Sequence, residues 1–250
     1  MFVLLAQESY AIAMRNIKVS PYLLRWFAGI GFVYLVLHVI TLTSLPVFAD
    51  EAIYIRWTQL IMDDWQRYLF FPLNDGKTPL QFWLMLPWQY LPINQLASAR
   101  LFVVVAGLVQ VGVMGWLARL FGGTKHTAVI AMIFTAFLPF WYFHQSLFLL
   151  DGLLALWLSL FLGWSYISMQ QVAKVATKKI NLKSLQPVVI SASITGFFFG
   201  LAMLTKVPAI LAVPALSVII LYKVNSPREF IYRCLSFGLS IGIGLGLFLL

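Results

Sequence analysis

Long apolar runs alternate with short charged segments along most of the chain. The first run, residues 26–49, contains 24 residues without a charged side chain. Because a helix needs about 20 apolar residues to cross a bilayer, such runs predict membrane spans. The pattern predicts seven of them, at residues 26–47, 101–118, 127–141, 151–169, 188–204, 208–222 and 234–250. The expected fold is therefore all-α, a polytopic transmembrane helix bundle.

The segment at residues 48–97 breaks this pattern, because it is long, polar and rich in proline. It contains the turn-forming stretch FPLNDGKTPL, residues 71–80, and several aromatic side chains, which favour the membrane–water interface. Its Asp, Asn and Pro content argues against another crossing of the hydrocarbon. We therefore expect interfacial helices in this first outer loop. Residues 1–20 and 170–186 are predicted to be a cytoplasmic lead and a basic cytoplasmic linker.

The composition agrees with a membrane protein. Hydrophobic residues make up 62% of the chain and charged residues 10%, whereas soluble domains carry roughly 25% charged residues. The single cysteine, Cys234, excludes an internal disulfide. Basic cytoplasmic loops explain the net charge of +9. We therefore expect membrane lipids, and no nucleic acid, among the partners.

The distribution of charge predicts the orientation. With the N-terminus in the cytoplasm, 12 of the 17 Lys and Arg residues fall on the inner side and 5 on the outer side, as the positive-inside rule requires. Six of the eight acidic residues fall on the outer side: Asp50, Glu51, Asp63, Asp64, Asp75 and Asp151. We expect an integral protein of the bacterial plasma membrane with a polar site on its outer face.

Four polar features interrupt the apolar pattern, and each allows a second interpretation. Asp50 and Glu51 follow the first span, where a solvated loop would also place them. Lys77 lies in GKTPLQFWL, which also suits a turn before an interfacial helix. Asp151, between apolar stretches, is costly in a membrane but also suits a helix N-cap. Lys206, in GLAMLTKVPAILAVPAL, ends the fifth span, where a lysine can snorkel to the interface.

The predicted topology places all four features at the outer membrane face. The first and fifth spans exit there, the fourth span enters there, and Lys77 belongs to the outer loop. Carboxylates and lysines beside interfacial aromatics suit a substrate with a phosphate, an apolar tail and a group that must lose a proton. We therefore expect Asp50, Glu51, Lys77 and Asp151 to share one outward-facing cavity.

The order of these motifs resembles that of membrane glycosyltransferases of the GT-C fold class, of the dolichyl-phosphate-mannose protein mannosyltransferase and aminoarabinose transferase type. The resemblance extends over roughly residues 49–214. Its features are the DE pair (Asp50, Glu51), K-x-P-L with an aromatic (Lys77, Pro79, Leu80, Trp83), an Arg opening the second span (Arg100), Asp151, and G-L-A-x-L-T-K-x-P at residues 200–208. Relatives often place a basic residue soon after the DE pair, whereas here the first one is Arg56.

The resemblance implies an inverting glycosyltransferase, which moves a sugar from a polyprenyl-phosphate carrier to a protein or glycolipid acceptor outside the cytoplasm. That reaction needs a base for the acceptor hydroxyl, the role implied for Asp50, and positive charge beside the departing phosphate. The implied site residues are Asp50, Glu51 and Asp151 for catalysis, and Lys77, Arg56 and Lys206 for the lipid phosphate. Since relatives are usually much longer, residues 1–250 are expected to be a single transmembrane module, the N-terminal part of a longer enzyme.

Two other functions stay open: a transporter or lipid-translocating protein, and a non-catalytic subunit with the same fold. Transporters place ionisable groups near the bilayer midplane. Here His38 is the main such residue, and a core histidine bonded to a neighbouring helix explains it. The pattern requires no cofactor, although carboxylates near a phosphate could hold a divalent metal ion, with His144 as a further candidate ligand.

Overall fold

The computed structural model describes residues 20–177, 182–221 and 224–249, and within these ranges the chain is helical without a strand. The α-helices are α1 (Pro21–Ile40), α2 (Ala49–Asp63), α3 (Trp65–Tyr68), α4 (Leu80–Met85), α5 (Gln95–Leu120), α6 (Lys125–Phe137), α7 (Pro139–Ser146), α8 (Leu150–Ala176), α9 (Leu182–Thr205), α10 (Ala212–Leu221) and α11 (Pro227–Leu249). Short 3₁₀ helices lie at Phe71–Asp75, Leu86–Tyr90 and Val207–Leu211. The predicted cytoplasmic lead, except Ser20, and residues 178–181 of the predicted linker lie outside the described residues.

Five of the described helices, α1, α5, α8, α9 and α11, are long and apolar enough to cross a membrane. Together α6 and α7 pass the same test but meet at a 55° bend, so the described ranges contain up to six spans. The bend lies at Leu138, which is extended, because a following proline, here Pro139, disfavours helical backbone. The seven predicted spans are not confirmed, since the sixth is a 3₁₀ helix followed by the 10 residues of α10.

The first span begins and ends earlier than the predicted residues 26–47. It begins at Pro21, whose fixed φ suits the first helical position. It ends at Ile40, after which the Ser44 N–H donates to the Thr41 carbonyl at 3.0 Å in a turn. The apolar run continues beyond this turn, so hydropathy alone places the boundary too late.

The chain divides into two compact units, and all the candidate site residues lie in the first. This N-terminal unit comprises residues 19–156 and 204–207. Its main core lies where α1, α5 and α6 pack together, and includes Tyr34, Val111 and Met132. The short helices between α1 and α5 belong to the same unit, with α2 in contact with α4 and α5.

The second, C-terminal unit includes residues 157–203 and 208–250, of which 178–181, 222–223 and 250 are not described. Within it, α9 and α11 approach each other closely at glycines. A Cβ at Gly196 would lie 2.5 Å from the Ser240 carbonyl oxygen, and a Cβ at Gly244 would lie 2.9 Å from the Gly196 carbonyl oxygen. Small residues therefore set the packing of this helix pair, as is common in membranes.

Candidate functional site

The first turn of α2 places the neighbouring Asp50 and Glu51 in two different environments. Glu51 is fully buried, whereas Asp50 is exposed. Successive residues point about 100° apart around a helix, so the two neighbours cannot share one direction. Both positions suit an acidic residue, because the helix dipole favours negative charge in the first turn.

The Glu51 carboxylate accepts four hydrogen bonds. Its Oε1 accepts from Arg100 Nε at 2.8 Å and from the Phe148 N–H at 3.0 Å. Its Oε2 accepts from Arg100 Nη2 at 2.7 Å and from the Phe48 N–H at 3.3 Å. Since a carboxylate offers about four lone-pair positions, Glu51 has no acceptor position left for a substrate proton.

Arg100, in the first turns of α5, is equally saturated. Besides Glu51, its guanidinium donates to the carbonyls of Leu42, Leu45 and Pro46 at 3.0, 3.0 and 3.1 Å. All five of its N–H donors are thereby used. The side chains of Arg100 and Glu51 are both 0% exposed, so this ion pair ties the turn after α1 to the beginnings of α2 and α5.

The Asp50 carboxylate, by contrast, is unpaired. It forms neither an ion pair nor a hydrogen bond within the described ranges. Tyr54 lies one turn further along the same face of α2. Burial, and then the negative charges of Asp50, Asp151 and Asp75, raise the pKa of Tyr54 to about 12. Three carboxylates from separate parts of the unit therefore lie within electrostatic range of one phenol that is neutral at physiological pH.

An aromatic cluster holds Tyr54 in place. Its ring packs edge to face against Phe82 of α4, with centroids 5.4 Å apart, and against Phe148, at 6.4 Å. The Trp57 ring centroid lies 5.6 Å from that of Tyr54 and 5.4 Å from that of Phe82. The ring centroids of Phe102, in α5, and Phe148 are 6.1 Å apart. Such aromatic pairs stabilise a fold by more than their buried apolar area alone provides. The cluster therefore fixes the position of Tyr54 on α2.

Asp151 and Lys206 are brought together by an ion pair. Lys206, directly after α9, donates from Nζ to Asp151 Oδ1 at 2.8 Å. Asp151 is the second residue of α8 and is therefore not its N-cap. The side chains are 34% exposed for Lys206 and 44% exposed for Asp151. A pair this exposed contributes about 0–1 kcal/mol, so another anion can replace Asp151 as the partner of Lys206.

Lys77 directly follows a tight turn at Gly76. Gly76 adopts a φ of 67°, which glycine alone reaches without strain. The turn is closed by the Lys77 N–H, which donates to the Pro72 carbonyl at 3.1 Å. Asp75, in the same turn, acts electrostatically on Tyr54. Lys77 is half-buried, and in the part of the chain that the structure describes its ammonium forms no ion pair.

Arg56, another predicted phosphate contact, bonds to a residue of its own helix. It lies six residues after Asp50, which puts it on a different face of α2. Its Nη1 donates to the side-chain oxygen of Gln59 at 3.1 Å, and its side chain is exposed. Of the predicted phosphate contacts, Lys206 is the one with an ion pair to a predicted site carboxylate, that of Asp151.

The two histidines that the sequence singled out, His38 and His144, lie in apolar and aromatic surroundings. His38 is buried, and its Nδ1 donates to the Tyr34 carbonyl of its own helix at 2.9 Å. The neighbouring α7 contributes a backbone interaction at Tyr142 and the Tyr142 ring, whose centroid lies 4.2 Å from that of the His38 ring. The His144 ring packs against the Phe140 ring, with the two centroids 4.5 Å apart. Among the described residues, no group of three or more His, Cys, Asp or Glu could hold a metal ion.

Three polar residues near the site were missed by the sequence interpretation: Tyr54, Thr78 and Gln81. Thr78 and Gln81 are buried, and the Thr78 hydroxyl and both Gln81 amide atoms have no partner among the described residues. A buried polar group without a partner costs about 1–3 kcal/mol. A signal in the sequence could have identified Thr78 and Gln81. Both are polar residues that closely follow Lys77 in an otherwise apolar and aromatic stretch.

Comparison with known proteins gives no assignment. No family model matches the chain, and no curated protein or solved structure matches it. The functional conclusion therefore depends on the motifs of the sequence and on the geometry of the site.

Proposed function

We propose that the chain is an inverting glycosyltransferase, which moves a sugar from a polyprenyl-phosphate carrier to a protein or glycolipid acceptor on the extracytoplasmic membrane face. One observation carries the proposal: Glu51 is saturated by Arg100 and two backbone N–H groups, while the adjacent Asp50 is exposed and unpaired. A carboxylate that is available as a base matches what the reaction needs, and Lys77 and Lys206 are the lysines proposed for the phosphate. The order of the motifs, which resembles that of GT-C enzymes, supports the same conclusion.

Asp50 takes the proton from the acceptor hydroxyl as the hydroxyl oxygen attacks the anomeric carbon. A new bond forms between these two atoms, and the bond from the anomeric carbon to the phosphate oxygen breaks. The lipid phosphate leaves with the electron pair of the broken bond. Because one displacement occurs from the face opposite the leaving group, the anomeric configuration inverts. Tyr54, neutral because its pKa is about 12, donates a hydrogen bond to a sugar or phosphate oxygen.

Lys77 and Lys206 stabilise the negative charge of the departing phosphate. Lys77 meets it directly, because its ammonium has no competing carboxylate among the described residues. Lys206 exchanges its half-exposed contact with Asp151 for the phosphate, after which Asp151 orients the sugar or acceptor. Glu51 is a positioning residue, since with Arg100 it fixes the first turn of α2 and hence the direction of Asp50.

Replacing Lys77 with Ala is expected to raise the apparent KM for the lipid donor and to lower kcat. The ammonium contacts the phosphate both before and during bond cleavage, so ground-state and transition-state binding both weaken. A hydrogen bond to a charged group is worth about 1.5–3 kcal/mol, which corresponds to a loss of roughly 10–100-fold in kcat/KM. Steady-state kinetics with a polyprenyl-phosphate sugar donor measure the change in both constants.

Lys125→Ala, which removes an exposed lysine at the beginning of α6, is the matched control and should leave kcat and KM unchanged. An unaltered kcat/KM in the Lys77 variant would remove Lys77 from the site.

A single assay separates this function from the two alternatives. Native membrane vesicles that contain the chain, and with it the cell's own protein and glycolipid acceptors, are supplied with a radiolabelled polyprenyl-phosphate sugar. Cleavage of the donor and its movement between leaflets are followed together. Chain-dependent transfer of the labelled sugar supports the proposal. Movement of the intact donor without cleavage identifies a lipid-translocating protein instead. The absence of both shows that this chain alone does not act on the donor, as a non-catalytic subunit would not.

We also propose that the segment from α2 to the 3₁₀ helix Leu86–Tyr90 lies on the outer membrane surface. Cysteines placed at Asp63 and Asn74, both exposed, are expected to react with a membrane-impermeant maleimide added from outside, because neither position enters the hydrocarbon. The exposed Cys234 is first replaced by Ser. A cysteine at Lys125, predicted to be cytoplasmic, is the control and should react only after the membrane is opened. Protection of both outer positions, or reaction only from the cytoplasm, would contradict this topology.

A further inference from the structure

The C-terminal unit contains an apolar cavity of about 260 Å³. It is lined mainly by apolar side chains of α8, α9 and α11: Val172, Val175, Leu185, Val188, Val189, Leu235 and Leu239, together with Tyr232. The one other lining residue, Ser236, has its hydroxyl bonded to that of Ser168 at 2.9 Å. These positions belong to the last turns of α8, the first turns of α9 and the first half of α11. The cavity therefore lies towards one end of the unit.

The cavity differs from an ordinary lipid-facing helix surface because it is recessed. Val172 and Val175, which are 1% and 8% exposed, form the floor of the cavity. Leu235 and Leu239, which are 64% and 43% exposed, form its rim. An apolar recess with an exposed apolar rim receives a hydrocarbon chain without requiring any polar partner. Its contents are therefore expected to be aliphatic.

The same end of the unit carries unpaired positive charge. Lys174, Lys183 and Arg228 lie near the ends of α8, α9 and α11, are exposed, and form no ion pair within the described ranges. Arg228 lies over the ring of Tyr232, a wall residue of the cavity, with 5.6 Å between its guanidinium carbon and the ring centroid. This contact places a cation at the rim.

The acidic side chain that could neutralise these cations is already used. Glu229 is the sole acidic residue between positions 157 and 250 of the sequence. It is buried, pairs with Arg233 at 2.5 Å, and accepts from the Asn225 N–H at 3.1 Å. Among the described residues of the unit, no free carboxylate therefore competes with an external anion for these exposed cations.

We propose that this cavity binds one anionic glycerophospholipid of the surrounding leaflet. One acyl chain occupies the apolar recess, and the phosphate lies beside Arg228, Lys174 and Lys183. Lysine and arginine near a membrane surface attract anionic lipids, and burial of each methylene group adds favourable free energy. The lysine and arginine distribution predicts that this end faces the cytoplasm, so the site differs from the proposed sugar-transfer site and does not depend on it.

Native mass spectrometry of the full chain tests the proposal. The chain is reconstituted with equal amounts of phosphatidylglycerol and phosphatidylcholine, extracted in mild detergent, and the retained lipid is identified. One phosphatidylglycerol molecule per chain is expected, in preference to phosphatidylcholine. Replacing Lys174, Lys183 and Arg228 together with Gln is expected to weaken phosphatidylglycerol binding by about 100-fold, since each cation contributes about a fivefold preference. Arg25→Gln, which removes an exposed arginine of α1, is the charge control.

A second variant tests the cavity itself. Leu239→Trp places a larger side chain at the rim and is expected to displace the acyl chain, so that bound phosphatidylglycerol is lost. Ile231→Trp is its matched control, because Ile231 lies on the same helix, is 54% exposed and does not line the cavity. Equal retention of the two lipids would overturn the role of the cations. Equal retention by the Leu239 and Ile231 variants would overturn the role of the cavity.

Discussion

Replacing Asp50 with Asn is expected to slow sugar transfer by about 10²–10⁴-fold, because the reaction loses its general base. The amide keeps the size of the carboxylate but cannot take a proton from the acceptor hydroxyl. Asp50 makes no ion pair or hydrogen bond in the described part of the chain, so the variant should fold normally. Affinity for the lipid donor should therefore change little, in contrast to the Lys77 variant. Turnover of a radiolabelled polyprenyl-phosphate sugar and binding of the same donor are the two measurements.

Asp63→Asn is the matched control for this experiment. Asp63 is an exposed acid at the last position of α2, so its replacement removes the same charge from the same helix away from the site. We expect normal turnover. If the Asp50 variant also keeps near-normal turnover, Asp50 is not the base. Asp151 is then the next candidate among the predicted catalytic residues, because Glu51 has no lone pair to offer.

Replacing Arg100 with Met is expected to destabilise the protein by about 3–5 kcal/mol, because it leaves the Glu51 charge buried without a partner. For a protein of this size that loss corresponds to a fall in Tm of roughly 6–20 °C. The three carbonyls of residues 42–46 that Arg100 now satisfies would lose their donors as well. Thermal unfolding of the chain in detergent, followed by tryptophan fluorescence, measures the change.

Lys206→Met is the matched control for the ion pair. It breaks the Lys206–Asp151 contact, whose side chains are 34% and 44% exposed, and such pairs contribute about 0–1 kcal/mol. We expect the Tm to fall by a few degrees at most, while transfer activity falls because the phosphate loses a cation. A variant at Arg100 that is as stable as the Lys206 variant would show that the buried pair does not hold the site together.

Much of the local structure was accessible from the sequence. Apolar runs predicted helices that could span a membrane, and the described chain is helical with five such helices. The Pro- and Asn-rich segment after the first run was expected to hold short helices, and α2 to α4 and two 3₁₀ helices lie there. Boundaries were less accessible, since the turn at Thr41 and the bend before Pro139 depend on a few residues within apolar surroundings.

The assignment of roles at the site was not accessible in the same way. The resemblance implied the base role for Asp50, but nothing in the local pattern separates it from Glu51. Arg100, 49 residues beyond Glu51, makes Glu51 a buried anchor, while Asp50 stays exposed. The partner of Lys206 is likewise an aspartate 55 residues away. Arg56, close to the acidic pair in sequence, lies on another face of the same helix.

What the sequence by itself determined is the class of the molecule, an all-helical chain with several apolar helices and a polar, acidic segment between the first two. Hydropathy and turn chemistry are local properties, so they can be read in windows of about 20 residues. The tertiary structure alone decided which carboxylate is saturated, which lysine is paired and which aromatic ring supports Tyr54. Those outcomes depend on the direction in which each side chain leaves its helix and on which distant donors it meets, and burial makes them decisive, because a charge removed from water must find its partner within the fold.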